Sequence, residues 1–231
     1  MLNFRINGIA ALFLTLLACA GLAAAETTVY DNSINIVQAD STWIPKGFLE
    51  FSRFSSSELQ GDEVILEGTD RKITEFDVVL MSQGPVVLDT LSIGFYHNDA
   101  HDDYLDGLPG TLIWSTTLTD LRLEGGLQIL SISVPQVEVP DRFTWLVGAD
   151  SMMAGLVPCG PVTKGQSPVN SLGDYYWDYA PAPFDCWYPG CFGDGIPADL
   201  GAKFVAVPEP ASFAILFAGS IIALRRRKLR A

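Results

Sequence analysis

An acidic loop between two apolar segments could bind a hard cation. It supplies one amide and four carboxylate side chains, from Asn98, Asp99, Asp102, Asp103 and Asp106. Ca²⁺ takes six to eight oxygen ligands at about 2.3–2.6 Å, so this density of oxygens predicts a calcium site. The spacing differs from D-x-[DN]-x-[DN]-G, and a solvated acidic loop is the alternative. A transition-metal site is a weaker interpretation, and it would use His97 and His101.

Six aromatic residues cluster in a segment that is also rich in proline and glycine. Tyr and Trp rings offer flat apolar faces with polar tips, and such faces suit stacking against sugar rings. The pattern predicts a platform that binds extracellular polysaccharide, and a buried lid over the domain is the alternative. The residues are Tyr175, Tyr176, Trp177, Tyr179, Trp187 and Tyr188.

Three cysteines in the second half of the chain are candidates for a disulfide. In an oxidising compartment Cys159, Cys186 and Cys191 should form one disulfide and leave one thiol. We favour Cys186–Cys191, which closes a tight loop around Pro189 and Gly190. Pairing of Cys159 with either of the others is an alternative, and so is zinc ligation.

The common catalytic motifs are missing from the sequence. G-x-S-x-G, H-E-x-x-H, the Walker loop and the dinucleotide fingerprint do not occur. Carboxylates are plentiful, and a glycosidase needs only two, separated by about 5–9.5 Å. We therefore expect a non-catalytic protein, and a secreted carbohydrate-active hydrolase that uses paired Asp or Glu is the alternative.

The net charge of −13 is concentrated between the two ends of the chain. Six of the 14 basic residues lie in the terminal segments, so residues 26–207 hold 8 basic and 26 acidic side chains, a charge of −18. This field repels nucleic acid and anionic membranes and is compatible with divalent cations or neutral polymers. Nucleic acid is therefore not an expected partner. Acidity that only keeps an exported protein soluble is the alternative.

The elements that must position these residues are short strands. Apolar and polar residues alternate with period two, which is typical of strands with one buried face. The pattern predicts an all-β domain over 26–207, an antiparallel β-sandwich of jelly-roll type. Residues 158–197 show little alternation and are predicted to form an irregular region. The predicted strands are 29–37, 73–81, 86–96, 111–118, 127–137, 143–149 and 202–207.

The first 25 residues are typical of a signal peptide. Arg5 precedes an apolar stretch over 9–22, and small residues, Ala23 and Ala25, stand at −3 and −1 before Glu26. Signal peptidase should therefore cleave after Ala25.

Two alternatives to this cleavage remain open. Residues 16–19 resemble a lipobox, which would make Cys19 the lipidated first residue. An uncleaved anchor helix is the other alternative. Either cleavage site predicts export.

The last 24 residues combine three features. Pro208 and Pro210 flank Glu209 and hold this tripeptide extended. The apolar run 211–224, a predicted single helix, covers about 21 Å at about 1.5 Å per residue, whereas the hydrocarbon core is about 30 Å thick. Basic residues follow over 225–230, including Arg225, Arg226 and Arg227, and keep that end in the cytoplasm.

This order, Pro-Glu-Pro, short apolar helix and Arg-rich end, resembles the PEP-CTERM sorting signal of Gram-negative bacteria. The resemblance covers residues 208–231. It implies an exosortase, an integral membrane cysteine transpeptidase, as a partner that processes the tail, and an association with extracellular polysaccharide. An ordinary tail anchor is the alternative.

Together these features predict a protein that signal peptidase and exosortase process during export. The C-terminal helix would insert transiently in the inner membrane, and the mature domain would reside on the cell envelope or in the extracellular matrix. The expected role is non-catalytic, through binding of polysaccharide. A purely structural matrix protein without a specific ligand is a further alternative.

Overall fold

The computed structural model describes residues 25–33, 52–54, 59–101, 106–157, 159, 162–166, 176–180, 186–190 and 199–208. Thr27–Glu209 forms one compact unit. Within the described part of this unit every regular element is a β-strand, and paired strands run antiparallel. The predicted signal peptide, except Ala25, and the predicted C-terminal helix lie outside the described residues.

The strands follow the alternation of apolar and polar residues. In chain order they are β1 (Thr27–Asp31), β2 (Ser52–Arg53), β3 (Leu59–Ile65), β4 (Lys72–Ser82), β5 (Val86–Tyr96), β6 (Ala100–His101), β7 (Asp106–Leu108), β8 (Leu112–Leu123), β9 (Gly126–Glu138), β10 (Arg142–Ala149), β11 (Ala154–Leu156), β12 (Tyr176–Ala180), β13 (Cys186–Gly190) and β14 (Ala202–Val207).

The described strands form two six-stranded sheets and a short two-stranded ladder, β6–β7. In sheet A the order is β1-β14-β4-β11-β2, and β9 pairs along the other edge of β4. In sheet B the order is β13-β12-β3-β10-β5-β8. The chain passes from sheet B to sheet A between β8 and β9, which lie at the edges of their sheets.

Aromatic rings from both sheets meet in the main hydrophobic core. Phe76 and Phe204 of sheet A stack with their ring centroids 4.8 Å apart. Phe95 of sheet B contacts both at 5.5 Å, and Phe143 of sheet B lies 5.2 Å from Phe204. All four rings are fully buried. Because these contacts join opposite sheets, the predicted all-β, antiparallel and sandwich-like fold is confirmed.

The prediction of irregular structure throughout 158–197 is wrong for two stretches. β12 and β13 form an antiparallel hairpin that extends sheet B beyond β3. Pro189 and Gly190 lie inside β13. Proline and glycine hide the alternation in the sequence, and an edge strand tolerates proline because its missing N–H faces away from the sheet.

Candidate functional site

The β12–β13 hairpin carries most of the predicted aromatic cluster to one edge of sheet B. On β12, Trp177 pairs with Gly61 of β3. On β13, Trp187 pairs with Tyr179 of β12. Tyr175 lies outside the described residues. The hairpin thus brings together residues that the sequence spreads over a proline-rich segment.

The register divides the aromatic residues between the two faces of the sheet. Cross-strand partners share a face, and successive residues alternate. Trp177, Tyr179 and Trp187 therefore occupy positions of one face, whereas Tyr176 and Tyr188 occupy positions of the other. A stacking platform on one face would use the first three positions. Sugar binding by this platform stays a prediction.

The face that contains Trp177 is the outer face of sheet B. Leu146 of β10 belongs to it, because its neighbours Trp145 and Val147 lie in the core. Leu146 is nevertheless fully buried. The Tyr96 ring covers part of this face, since a Cβ at Gly94 would be 2.6 Å from ring atom Cε2. One cross-strand row joins Trp177, Gly61, Leu146, Gly94 and Ser115.

This row has a covered centre and an open end. Gly61, Leu146 and Gly94 are buried, whereas Ser115 is exposed on the edge strand β8. The predicted aromatic positions lie at the opposite margin of the face from Ser115.

A polar network lies on the same outer face, beside the row. The Arg142 guanidinium pairs with both carboxylate oxygens of Glu63, with Nη2 2.6 Å from Oε2. Asn98 Nδ2 donates to Glu63, and Thr144 Oγ1 donates to Asn98 Oδ1 at 2.8 Å. The hydrogen bond to Glu63 raises the pKa of Arg142. Arg142 is exposed, so the network presents a fixed cation at the surface.

The predicted calcium loop is described only in part. Asp102 and Asp103 lie outside the described residues, and of Asp106 only the backbone position in β7 is described. Asn98 Oδ1 accepts from Thr144, and Asp99 Oδ1 accepts from the Thr111 N–H at 2.7 Å.

These hydrogen bonds engage two of the proposed oxygen ligands. The hydrogen bond from the Thr111 N–H lowers the pKa of Asp99. In the described part of the chain no group of three or more His, Cys, Asp or Glu side chains could hold a metal ion. Calcium binding, and the weaker idea of a site at His97 and His101, stay predictions.

Asp62 of β3 is a buried carboxyl that the sequence patterns do not single out. Its Oδ1 accepts from the Glu63 N–H at 2.7 Å, and its Oδ2 accepts from the Leu200 N–H at 3.2 Å. Leu200 precedes β14, so the second bond joins the two sheets. Burial raises the pKa of Asp62 well above its usual range, and Asp199 raises it further. This carboxyl is held by structural hydrogen bonds.

Two other buried groups lie near Asp62. The Tyr30 hydroxyl has no hydrogen-bond partner among the described residues, and burial, followed by the charge of Asp62, raises its pKa. Cys159 is a free, buried thiol whose pKa is raised by burial and then by Asp199. Cys159 therefore forms no disulfide with a described residue, and Cys191 and the Cys186 side chain lie outside the described part. The Cys186–Cys191 disulfide stays a prediction.

The two predicted processing points flank the described strands. Ala25 and Glu26 are exposed immediately before β1, and Pro208 follows β14 directly. β1 and β14 pair antiparallel, with Thr27 opposite Ala206. The first and last strands of the compact unit therefore begin and end at the same corner of sheet A. Within the ranges given above, no helix is long and apolar enough to cross a bilayer.

Comparisons with known proteins give no match for this chain among family models, curated proteins or solved structures. The described residues define the chemistry that this surface offers. They provide a sheet face with a fixed Arg142–Glu63 pair, exposed hydroxyls and a margin of aromatic positions. The exposed guanidinium and hydroxyls can form hydrogen bonds with a ligand, whereas stacking at the aromatic positions stays a prediction.

Proposed function

We propose that this is an exported protein of the cell surface or extracellular matrix, processed by signal peptidase and an exosortase, that binds extracellular polysaccharide without catalysis. One observation carries the proposal. The compact unit Thr27–Glu209 begins two residues after Ala25 and ends inside the Pro208–Pro210 motif. Removal of both predicted signals would therefore leave the folded unit whole.

The scaffold of this proposal is a sandwich of jelly-roll type. Two antiparallel sheets that share one aromatic core support it. The pairing of β1 with β14 also supports a tethered protein, because the strand that precedes the tail is locked into sheet A. Pulling on the tail would load a hydrogen-bonded strand along its length.

Three buried carboxylates already form hydrogen bonds or ion pairs within the protein, and this supports a binding role over hydrolysis. Glu63 is paired with Arg142, Asp62 accepts two backbone N–H groups, and Asp77 accepts from Lys203 Nζ at 3.1 Å. A glycosidase needs one carboxyl free to give up a proton and another free to attack or to activate water. These three instead hold strands together.

Mass spectrometry of the mature chain tests the processing. We expect full-length chain, expressed in a Gram-negative host that encodes an exosortase, to begin at Glu26 and to lack 211–231. Substitution of Pro208, Glu209 and Pro210 by alanine should retain the tail, as should deletion of the exosortase. A wild-type chain that keeps residues 211–231 would contradict the proposal, and a lipidated Cys19 would correct its N-terminal half.

Incubation with polysaccharide from the same host tests the binding role. We expect retention of the protein without new reducing ends, and about fivefold or more weaker retention for Trp177→Ala, by analogy with base–aromatic stacking, which contributes about 1–3 kcal/mol. Tyr176→Ala, at a position of the opposite face, is the matched control. New reducing ends would identify a hydrolase instead, and equal retention of both variants and wild type would remove the stacking site.

A further inference from the structure

The turn between β10 and β11 carries two neighbouring methionines on the surface. Met152 is 65% exposed and Met153 is 45% exposed. No other large apolar residue in the described part of the chain is as exposed as Met152. Single exposed apolar side chains are ordinary, but a thioether also brings chemistry, because its sulfur can be oxidised. The pair is therefore a candidate for modification.

Hydrogen bonds hold the backbone of this turn while both side chains face solvent. The Met153 N–H donates to Ser151 Oγ at 3.3 Å, and the Gln83 N–H donates to the Met153 carbonyl at 2.9 Å. From Ala154 onward the chain pairs with β4 as strand β11. These bonds use backbone atoms of the turn and the Ser151 hydroxyl. A change confined to the two thioethers would therefore leave all of them in place.

Met81 and Cys159 carry the other sulfur atoms whose surroundings the structure describes. Both lie in a small apolar cluster with Val79 and Val157. Cys159 is 4% exposed and Met81 is half-buried. Burial, and then the charge of Asp199, raise the pKa of the Cys159 thiol, which keeps it out of the reactive thiolate form. Because oxidation follows exposure, the fold protects these two sulfurs and leaves the pair in the turn open to oxidants.

We propose that Met152 and Met153 form a modification site that takes hydrogen peroxide and related peroxides as oxidants and becomes a pair of sulfoxides while the domain stays folded. In each reaction a sulfur lone pair attacks one peroxide oxygen, so an S–O bond forms as the O–O bond breaks. The oxygen on sulfur passes its proton to the departing hydroxide, which leaves as water. Sulfur loses two electrons, and hydrogen peroxide gains the same two.

The surroundings of each methionine decide whether the fold tolerates its sulfoxide. Oxidation converts an apolar side chain into a polar one. At the exposed turn, water can hydrogen-bond to the new oxygen of Met152 or Met153. At Met81 the same oxygen would lie against the apolar cluster, where a polar group without a hydrogen-bond partner is costly. The pair in the turn is therefore the place where oxidation changes the surface and spares the packing.

The turn lies at the end of β4 opposite the point where β14 ends. Ala154 pairs with Ser82, the last residue of β4, whereas Val207 pairs with Lys72, the first. Ten residue steps, from 72 to 82, at about 3.3 Å each place these ends about 33 Å apart. Oxidation of the turn would therefore not disturb the segment that leads to the predicted tail. This inference is independent of the proposed processing and polysaccharide binding.

Hydrogen peroxide treatment of the full-length chain in a mild detergent, followed by peptide mass spectrometry, tests the site. We expect Met152 and Met153 to be oxidised about fivefold or more faster than Met81 in the folded chain. All three should react at similar rates in chain unfolded by urea, because only the fold distinguishes them. The double variant Met152→Leu/Met153→Leu should lose the fast reaction, whereas Met81→Leu, the matched control, should keep it.

Urea unfolding of the treated protein tests tolerance of the sulfoxides. We expect wild type, oxidised until both methionines of the turn have reacted, to unfold at the same urea concentration as untreated protein. Oxidation of Met81 at the same rate as the pair in the folded chain would overturn the site. A lower unfolding midpoint after oxidation of wild type, absent from the equally treated Met152→Leu/Met153→Leu variant, would overturn the claim that the domain stays folded.

Discussion

Removal of the Phe204 ring should weaken the contact between the two sheets more than any surface change. Phe204 is fully buried on sheet A. Its ring centroid lies 4.8 Å from Phe76, 5.2 Å from Phe143, 5.5 Å from Phe95 and 6.0 Å from Tyr30. Two of these four partners belong to sheet B, so the ring connects both halves of the sandwich.

The magnitude for Phe204→Ala follows from burial and from the cavity that it leaves. Phe→Ala in a core costs about 3–5 kcal/mol, and the upper part applies where neighbours cannot collapse into the gap. The four partners are themselves held on paired strands, so we expect about 4 kcal/mol. Total stability of a domain is about 5–15 kcal/mol, so the variant should lose a large share of it.

Urea unfolding of the full-length chain, followed by far-ultraviolet circular dichroism, measures this loss. Val87→Ala is the control, because Val87 is 55% exposed, and we expect it to change the free energy of unfolding by less than about 0.5 kcal/mol. A loss below about 1.5 kcal/mol for Phe204→Ala, with an unchanged dependence on urea, would refute the packing of the sheets through this ring.

Two further substitutions probe the backbone and the buried acid of β3. Gly61→Ala should lower the free energy of unfolding by about 3 kcal/mol or more, because the added Cβ would lie 2.8 Å from the Leu146 Cα. Gly84→Ala is the control: its Cβ would meet nothing within 4 Å, so it should be nearly neutral. Asp62→Asn loses one of the two backbone hydrogen bonds at every pH, but its stability relative to wild type should rise between pH 4 and pH 8. Because the pKa of Asp62 is raised in the folded state, folding takes up a proton, and stability falls as pH rises from about 4 through the raised pKa. A difference between Asp62→Asn and wild type that is constant with pH would contradict this reasoning.

The long strands could be predicted because their inward residues are apolar. In β5 the side chains of Leu91, Ile93 and Phe95 alternate with exposed or small residues, and the predicted bounds of β5 and β14 equal those in the structure. Sheet order could not be read from this pattern. Alternation fixes which residues share a face, whereas partners are fixed by contacts between distant strands.

Strand β3, which the sequence did not predict, carries polar residues at inward positions. β3 places Gln60 and Asp62 on the face towards the interior. Its inward residues are therefore polar where the sequence pattern of a buried face requires apolar ones. The role of Gly61 was equally hidden, since a close backbone approach by β10 leaves no signal in a single sequence. The aromatic residues were correctly picked out as a cluster, but their division between two faces depends on the register of β12.

The order of sheet A separates the predicted processing points from the far side of the sheet. β9 and the β1–β14 pair lie on opposite sides of β4, so the order across this part of the sheet is β9-β4-β14-β1. At about 4.8 Å per strand, β9 is about 14 Å from β1, where the compact unit begins. A protein attached to a surface through the segment after β14 would therefore be held by the side of the sheet that contains β1 and β14, and pulling on the tail would load β14 between its neighbours β1 and β4.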